Sequence, residues 1–341
     1  MSGVVRTVTG DVPASSIGSV AFHEHLLFDI VPPGADRSAG EEITTANRWQ
    51  VDYRSNDNPE NAFQTDRAVA ASELAAFRED GGGLLVDQSV IGLARDPEGQ
   101  FEASQASGVP VVAATGTYTA PFVPAELHDA SVDRLAALFI DEIRTGMDGT
   151  AIRAGLIGEI GCSWPLEDIE RRALKAAARA QAATGAAISV HPGRHRSACG
   201  EILDILDAAG ADLSRVILCH MDRTHPDGEG IAPLLDRGAV VELDFFGIEQ
   251  SHYWMDGTEL PTDLQRLKLI HGFVEQGHGE QIVISQDICT KTRMKRWGGH
   301  GYGHILRNVP ALMRRLGFDE NLVNALLGAT PLRLLTLEEA I

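Results

Sequence analysis

The chain has 341 residues, enough for two domains of average size or for one large domain. Its 44% hydrophobic and 23% charged residues are typical of a soluble enzyme, and no apolar stretch is long enough to span a bilayer. The formal net charge of −19 would repel phosphate, which argues against nucleic-acid and anionic-membrane partners. A polyanionic partner is therefore not expected.

The N-terminal segment has neither the apolar core nor the small-residue cleavage site of a signal peptide, so we expect a cytoplasmic protein. The four cysteines show no CxxC spacing, and neither disulfides nor a structural zinc site are expected. We interpret them as small buried residues: Cys162, Cys199, Cys219 and Cys289.

Eight short apolar runs follow one another along the chain, and segments of helical composition lie between them. The predicted strands are residues 20–28, 83–88, 109–115, 154–160, 186–190, 216–219, 239–243 and 281–285. The predicted helices are residues 66–79, 131–144, 167–184, 201–209 and 262–276. Apolar strands that alternate with helices indicate a parallel sheet covered on both faces, and eight units favour closure. We therefore predict an α/β fold, a (β/α)8 TIM barrel, with residues 1–341 as one domain and 1–19 as a short lead-in.

The absence of two motifs argues against an open sheet, and composition predicts two long loops. No GxGxxG motif follows the first predicted strand and no GxxxxGKS/T motif occurs, which argues against a nucleotide-binding open sheet. Residues 31–62 are rich in Pro, Gly, Asp and Asn, and residues 289–303 are basic and aromatic. Loops that follow barrel strands form the active-site face, so we predict that both segments shape the substrate pocket.

Histidines and a carboxylate stand where the predicted strands end. His23 and His25 are two residues apart, a spacing that places both side chains on one side of a strand. His191 and His220 end the fifth and sixth predicted strands, and Asp287 follows the eighth. The C-terminal ends of barrel strands open onto one face, so these residues should converge on a single pocket.

Glu159 stands at the end of the fourth predicted strand, between glycines. A charge in a buried strand is costly unless it is paired or binds a metal, so Glu159 either forms a salt bridge or bridges two cations. Four histidines and two carboxylates at one face are the ligand set of a two-metal hydrolase, in which a metal-bridging hydroxide attacks the substrate. Asp287 would bind one metal and act as the catalytic proton acceptor.

Other catalytic arrangements fit the sequence less well. A serine hydrolase of the common type would need a GxSxG motif, which the chain lacks. Cys219 could be a nucleophile beside His220, but neighbours on a strand point to opposite faces. A pair of carboxylates could cleave a glycoside, yet that reading leaves the four strand-end histidines unexplained.

Motifs along nearly the whole chain resemble the phosphotriesterase family of the amidohydrolase superfamily. They are TVTG at 7–10, FHEHLLFD at 22–29, IGEIG at 157–161, HPG at 191–193, CHMDRT at 219–224, SQDI at 285–288, GGHGYGHIL at 298–306 and TPLRLL at 330–335. The resemblance implies a barrel that binds two divalent metal ions, with zinc as the expected metal, and it suggests a homodimer.

The same resemblance implies which residues hold which metal. His23, His25 and Asp287 would hold one ion, and His191 and His220 would hold the second. Phosphotriesterase and its lactonase relatives bridge the ions with a carboxylated lysine. Glu159 at this position resembles the phosphotriesterase-related branch and puts organophosphate hydrolysis in doubt.

Three residues are candidates for substrate contacts. Tyr118 matches an aromatic position that contacts the substrate carbonyl in lactonase relatives, although packing within its loop is an equally good interpretation. Arg223 either binds an anionic substrate group or pairs with Asp222, and the sequence slightly favours the pair. Arg293, together with Arg223 and Lys291, could supply positive charge to an anionic substrate inside an acidic protein.

The first functional hypothesis is a lactonase or carboxylic ester hydrolase. The alternatives among enzymes are an amidase that cleaves small anionic N-acyl amides and a phosphotriesterase. The alternative outside enzymes is a ligand-binding protein with a hydrolase fold that has lost its catalytic activity. The presence of all six candidate metal ligands argues against it. Fold alone does not decide among these substrates.

Overall fold

The computed structural model describes residues 3–55, 57–249, 255 and 257–337. Eight strands in this part of the chain form one parallel sheet in which consecutive strands are neighbours. These barrel strands, numbered first to eighth in chain order, are Val20–Glu24, Leu84–Asp87, Val111–Thr115, Leu156–Gly161, Ile188–His191, Val216–Leu218, Val240–Leu243 and Ile282–Ile284.

The first and eighth strands lie side by side, so that the sheet curls into a nearly closed barrel. The His23 N–H donates to Ser285 Oγ at 2.9 Å, and the Asp287 N–H donates to the His23 carbonyl at 3.0 Å. Helices surround the sheet, and the predicted TIM barrel is confirmed.

The α-helices in the described part of the chain include all five that the sequence predicts, each within three residues of its predicted bounds. The helices are Arg48–Tyr53, Arg67–Glu79, Pro97–Ser107, Ala125–His128, Val132–Arg144, Asp168–Thr184, Ala198–Ala208, Met221–Thr224, Ala232–Asp236, Asp263–Glu275, His304–Arg307, Val309–Arg315, Glu320–Asn324 and Thr330–Leu335. Polar caps fix where several begin. The Asp66 side chain accepts from the Ala68 N–H, and Thr262 forms a capping box with Gln265.

The helix Pro97–Ser107 was not predicted. Its sequence, PEGQFEASQAS, has no continuous apolar stripe, so periodicity does not reveal it. The helix begins where the Asp96 side chain accepts from the Gly99 N–H at 2.9 Å, and it ends at Gly108, whose φ is +71°. It packs against the helix Arg67–Glu79, and this tertiary contact compensates for the weak local signal.

The barrel strands contribute alternate side chains to two apolar cores. Val20, Phe22 and Leu84 fill the barrel interior. Ala21 and Leu85, one position further along, pack against the surrounding helices. Burial on both faces explains why the strands read as continuous apolar runs.

The first predicted strand was too long. The barrel strand ends at Glu24, and Phe28–Asp29 pairs with Phe63–Gln64 in a separate antiparallel ribbon. The long loop between these two short strands contains the helix Arg48–Tyr53. Arg48 donates to the Thr292 carbonyl at 2.8 Å, so the two long loops predicted from the sequence contact each other.

Strands near the two ends of the described chain pair with each other. Val4–Thr7 lies between Gly10–Pro13 and Thr336–Leu337 in an antiparallel sheet. The four cysteines are free. Three of them are buried, as predicted, whereas Cys289 is only partly buried. No helix in the described ranges is both long enough and apolar enough to cross a membrane.

Candidate metal centre

The structure brings all six predicted metal ligands together at the C-terminal face of the barrel. Glu159 lies within the fourth strand and His191 ends the fifth. His23 lies in the first strand, and the remaining three lie just beyond the observed C-terminal ends of the first, sixth and eighth strands: His25, His220 and Asp287. All six side chains are buried.

Glu159 is shared by two groups of potential ligands. One group is His23, His25 and Glu159, the other is Glu159, His191 and His220, and within each group the ligand atoms lie within 4.8 Å of one another. Glu159 Oε1 is 3.6 Å from His25 Nε2, whereas Oε2 is 2.9 Å from His191 Nδ1 and 3.2 Å from His220 Nε2. Oε2 is also 3.7 Å from His23 Nε2, so the Glu159 carboxylate lies against histidines of both groups, as a carboxylate shared by two cations would.

Asp287 extends the first of these groups. Its Oδ1 is 3.2 Å from His25 Nε2 and 3.9 Å from His23 Nε2. Its Oδ2 is 3.9 Å from His220 Nδ1, on the side of the second group. The Asp287 carboxylate can therefore bind a cation in the first group and still reach an atom that reacts between the two groups.

The chemistry of the donor set fits metal ions. His23 Nε2 is buried and has no hydrogen-bond partner among the described residues, although it faces two carboxylates. Its other nitrogen, Nδ1, lies 3.2 Å from Asp244 and 3.3 Å from Glu242. A metal-binding imidazole has this pattern, with one nitrogen anchored to a carboxylate and the other directed at the ion.

His220 shows the same pattern, and His25 differs only in that its anchor is a serine hydroxyl. His25 Nδ1 is 3.0 Å from Ser89 Oγ, and His220 Nδ1 is 2.9 Å from an Asp244 oxygen. Their Nε2 atoms face the cluster. Ser89, Glu242 and Asp244 were not predicted as partners of the ligands, although two carboxylates in an otherwise apolar strand end, VELD at 241–244, are a visible signal.

The electrostatics of the second group are asymmetric. Burial favours the neutral form of His220, but the Asp244 carboxylate outweighs burial and raises the pKa of His220 to about 9. Burial lowers the pKa of His191 to about 3, despite the nearby Glu159 carboxylate. Burial would favour a neutral Glu159, yet the surrounding histidines hold the pKa of this carboxyl well below its usual value.

The backbone around the cluster adopts conformations that few side chains tolerate. His220 has φ +55° and Asp287 has φ +45°, both in the left-handed region. Such residues cost about 1–3 kcal/mol each and concentrate at functional sites. Gly158, next to Glu159, has φ +109°, and a Cβ atom there would lie 1.9 Å from the Ser189 carbonyl oxygen. Only glycine fits at this position.

Two of the predicted substrate contacts lie against His191. The Tyr118 hydroxyl is 3.4 Å from His191 Nδ1, and the two rings meet edge to face. Arg223 lies on the other side, with Nη2 3.0 Å from His191 Nε2 and 2.8 Å from the Pro192 carbonyl to which it donates. Both side chains are therefore positioned at the rim of the second group.

The predicted pair between Arg223 and Asp222 is wrong. Asp222 accepts instead from Arg266 Nε at 2.9 Å, and both residues are fully buried. Arg266 also donates to Asp263 at 3.0 Å, and Asp263 is 2.6 Å from His304 Nε2. This ionic cluster joins the loops that follow the sixth, seventh and eighth strands.

The remaining basic candidates, Arg293 and Lys291, differ in whether they lie next to the cluster. Arg293 Nη1 donates to the Asp287 carbonyl at 3.1 Å, so its guanidinium lies next to the cluster. Lys291 instead forms an ion pair with Glu60 and lies over the Phe63 ring. The charge of Lys291 is therefore neutralised within the two long loops. This corrects the expectation that Lys291 supplies positive charge to an anionic substrate.

Comparisons with known proteins agree with this geometry. A model of the phosphotriesterase family matches residues 3–335. The chain belongs to the phosphotriesterase family. The human protein named N-acetyltaurine hydrolase is 36% identical to it over 344 residues, and the alignment covers 98% of this chain and 99% of that protein.

Solved structures show the same relationship. The structure described as a resiniferatoxin-binding protein from Rhodobacter sphaeroides has a TM-score of 0.92 and 33% identity, and the match covers 98% of this chain and 95% of that one. A lactonase from Listeria monocytogenes has a TM-score of 0.81 at 22% identity, with 98% and 100% of the two chains covered, and supports the fold alone. The protein is thus a hydrolase of small molecules in this family.

Proposed function

We propose that the protein hydrolyses small N-acyl amides that contain an anionic group. The observation that carries the proposal is Arg223, which is only 3% exposed and has no carboxylate within 4.0 Å among the described residues. A buried cation requires a negative partner, and an anionic substrate would provide one next to the cluster. The human relative supports this class, because N-acetyltaurine is an N-acyl amide of an aminosulfonate.

The six clustered side chains would hold two divalent cations, and imidazole with carboxylate suits zinc. His23, His25 and Asp287 would bind one ion, His191 and His220 the other, and Glu159 both. When bound, two such cations polarise a carbonyl oxygen and make water more acidic. Metal analysis of the purified protein is expected to give two zinc ions per chain, and fewer after replacement of Glu159 by Ala.

Asp287 would act as the proton carrier. The oxygen of a water molecule attacks the amide carbonyl carbon, and its proton passes to an Asp287 carboxylate oxygen. The same proton then moves to the leaving nitrogen as the C–N bond breaks. Tyr118 would donate a hydrogen bond from its hydroxyl to the substrate carbonyl oxygen and keep its proton. Lactones and carboxylic esters present the same carbonyl to Tyr118, so their hydrolysis is the second candidate function.

The first experiment measures hydrolysis by zinc-loaded protein. The panel contains an N-acyl aminosulfonate, an N-acyl amino acid, a neutral N-acyl amine of the same length, lactones, a carboxylic ester and a phosphotriester. We expect the largest kcat/KM for the anionic amides and loss of most turnover in Asp287→Asn, with the fold retained. Turnover of lactones alone would favour the second candidate, and native turnover in Asp287→Asn would contradict its role.

Arg223→Met tests the contact with the anionic group. A charge-assisted hydrogen bond contributes about 1.5–3 kcal/mol, so KM for an anionic amide should rise roughly 10- to 100-fold. KM for the neutral analogue should change little. Arg196→Met is the matched control, because Arg196 is an exposed residue paired with Asp227. Equal losses for charged and neutral substrates would contradict the assignment.

The remaining features of the proposal concern the whole protein. We propose a single domain over residues 1–341 and a cytoplasmic location, as the sequence predicts, and a homodimer, as the family resemblance suggests. Light scattering of the eluted protein is expected to give twice the mass of one chain. Limited proteolysis is expected to leave no smaller stable domain.

A further inference from the structure

Glu24, the middle residue of the His-Glu-His segment, has a carboxylate that reaches from the first strand to the segment after the eighth. The side chain is fully buried. Its Oε2 accepts from the Ile288 N–H at 3.0 Å. Its Oε1 accepts from the Gln286 N–H at 3.2 Å and from Gln286 Nε2 at 2.6 Å.

These contacts surround Asp287 on both sides. The Asp287 N–H itself donates to the His23 carbonyl at 3.0 Å. Three consecutive backbone N–H groups, at residues 286–288, are therefore all bound by two adjacent residues of the first strand. The N–H groups of Gln286 and Ile288, on either side of a residue in the left-handed region, converge on the Glu24 carboxylate, whereas the Asp287 N–H binds the His23 carbonyl. Backbone N–H groups that converge in this way bind anions.

The partners of Glu24 explain why a carboxylate is needed. The backbone groups of Gln286 and Ile288 and the Gln286 amide all donate. A glutamine at position 24 would keep one acceptor oxygen and place an NH₂ group against another donor. The isosteric amide would therefore repel one side of the segment that contains Asp287.

We infer that Glu24 is a positioning residue that fixes the Asp287 carboxylate next to His25. The inference rests on the proposed role of Asp287 in the hydrolysis. Glu24 lies outside the cluster of ligand atoms and acts through the backbone on which Asp287 is built. Asp287 Oδ1 is held 3.2 Å from His25 Nε2 because both residues are anchored to the same stretch of the first strand.

The test compares Glu24→Gln with Glu73→Gln. Glu73, in the helix Arg67–Glu79, is a matched control because it is also buried and accepts two backbone N–H bonds. Its donors are Lys295 at 3.0 Å and Arg296 at 2.8 Å, in the loop 289–303, and it is not one of the clustered ligands. For each variant kcat, KM, metal content and the visible spectrum of the cobalt-substituted protein are measured. Thermal unfolding is recorded to compare the general loss of stability.

We expect kcat of Glu24→Gln to fall about 10- to 100-fold with little change in KM, as for other residues that orient a metal ligand. Its cobalt spectrum should change, since the carboxylate of Asp287 moves. Glu73→Gln should lose stability but retain its kcat and its cobalt spectrum. If Glu24→Gln does not fold, Glu24→Asp and Glu73→Asp allow the same comparison. Aspartate keeps the carboxylate charge, but its side chain is one methylene shorter and moves the carboxylate away from its partners.

The outcomes separate this inference from the proposed function. If Glu24→Gln matches Glu73→Gln in kcat and in cobalt spectrum, Glu24 does not position Asp287. If Asp287→Asn keeps native turnover, the catalytic role of Asp287 is wrong. In that case the cobalt spectrum of Glu24→Gln still decides whether Glu24 holds the Asp287 carboxylate in place.

Discussion

Asp244 is one buried carboxylate that faces two candidate ligands. It lies 2.9 Å from His220 Nδ1 and 3.2 Å from His23 Nδ1. Zinc binds the neutral form of imidazole, whereas the attraction of Asp244 outweighs burial and raises the pKa of His220 to about 9. Below that pH the His220 proton must leave before a metal binds. Asp244 therefore orients His220 and at the same time makes metal uptake depend on pH.

The zinc affinity of the metal-free protein is expected to rise with pH through about pH 9, since His220 holds its proton up to that pH. In Asp244→Asn the contribution of His220 to this rise should move to lower pH, because Asp244 no longer outweighs the burial that lowers the pKa of His220. The limiting affinity should be roughly 10- to 100-fold lower, because His220 loses its anchor. Competition with a coloured chelator over a pH series measures both effects. Asp204→Asn, at an exposed pair with Arg237, is the control, and superimposable curves for Asp244→Asn and wild type would contradict the prediction.

Residue types at strand ends suffice to predict the candidate ligands, because a barrel brings every strand end to one face. The partners of these ligands were not predicted. Asp244 contacts a histidine 24 positions away. Asp222 pairs with Arg266, which is 44 positions away, and not with the neighbouring Arg223. Such pairs depend on how side chains are directed at the ends of adjacent strands, and no local pattern in the sequence records that direction.

Gly158 makes the fourth strand fit against the fifth. An added Cβ would lie 1.9 Å from the Ser189 carbonyl oxygen, and φ at this residue is +109°. We expect Gly158→Ala to lower the free energy of unfolding by more than about 3 kcal/mol and to reduce the metal content, because Glu159 is displaced with the strand. Urea unfolding of the metal-free protein and metal analysis measure the two effects.

The control for that substitution is Gly200→Ala. Gly200 lies in the helix Ala198–Ala208, and a Cβ there would meet nothing within 4 Å. Alanine should raise the free energy of unfolding by about 0.5–1 kcal/mol, since it favours the helix more than glycine does. Equal stability of the two variants would show that the strands can separate to accept a side chain at position 158.

The ionic cluster around Arg266 links three loops of the active-site face. Arg266 and its partner Asp222 are fully buried, so Arg266→Met would leave an unpaired buried carboxylate. We expect a loss of about 3–5 kcal/mol in the free energy of unfolding. Arg314→Met removes an exposed pair with Glu320 and should cost less than about 1 kcal/mol. A small loss in Arg266→Met would mean that Asp222 finds another partner or water.

Elements were predicted best where their apolar pattern is long. The helices 132–144 and 168–184 match within one residue, since strong periodicity and polar caps agree. The run 20–28 was predicted as one strand, because nothing in its composition marks the break after Glu24. That break exists because Phe28–Asp29 pairs with Phe63–Gln64, a contact between distant residues.

The net charge of the molecule should affect how an anionic substrate approaches it. The formal charge is −19, and two divalent cations would leave it strongly negative. Salt shortens the range of this repulsion from about 30 Å at 0.01 M to about 8 Å at 0.15 M. We therefore expect kcat/KM for an anionic amide to rise with salt, while kcat/KM for a neutral amide stays constant. A decrease with salt for the anionic amide would mean that local positive charge dominates its approach.

The candidate ligands are spread along the chain from the first strand to the segment beyond the eighth. His25 and Asp287 are separated by most of the sequence, and a ribosome that adds about 5–20 residues per second needs on the order of 10–50 s to pass from one to the other. The ligand set that includes Asp287 is thus complete only when synthesis of the chain is almost finished. Any ion that needs all four of His23, His25, Glu159 and Asp287 can therefore bind only to a nearly complete barrel.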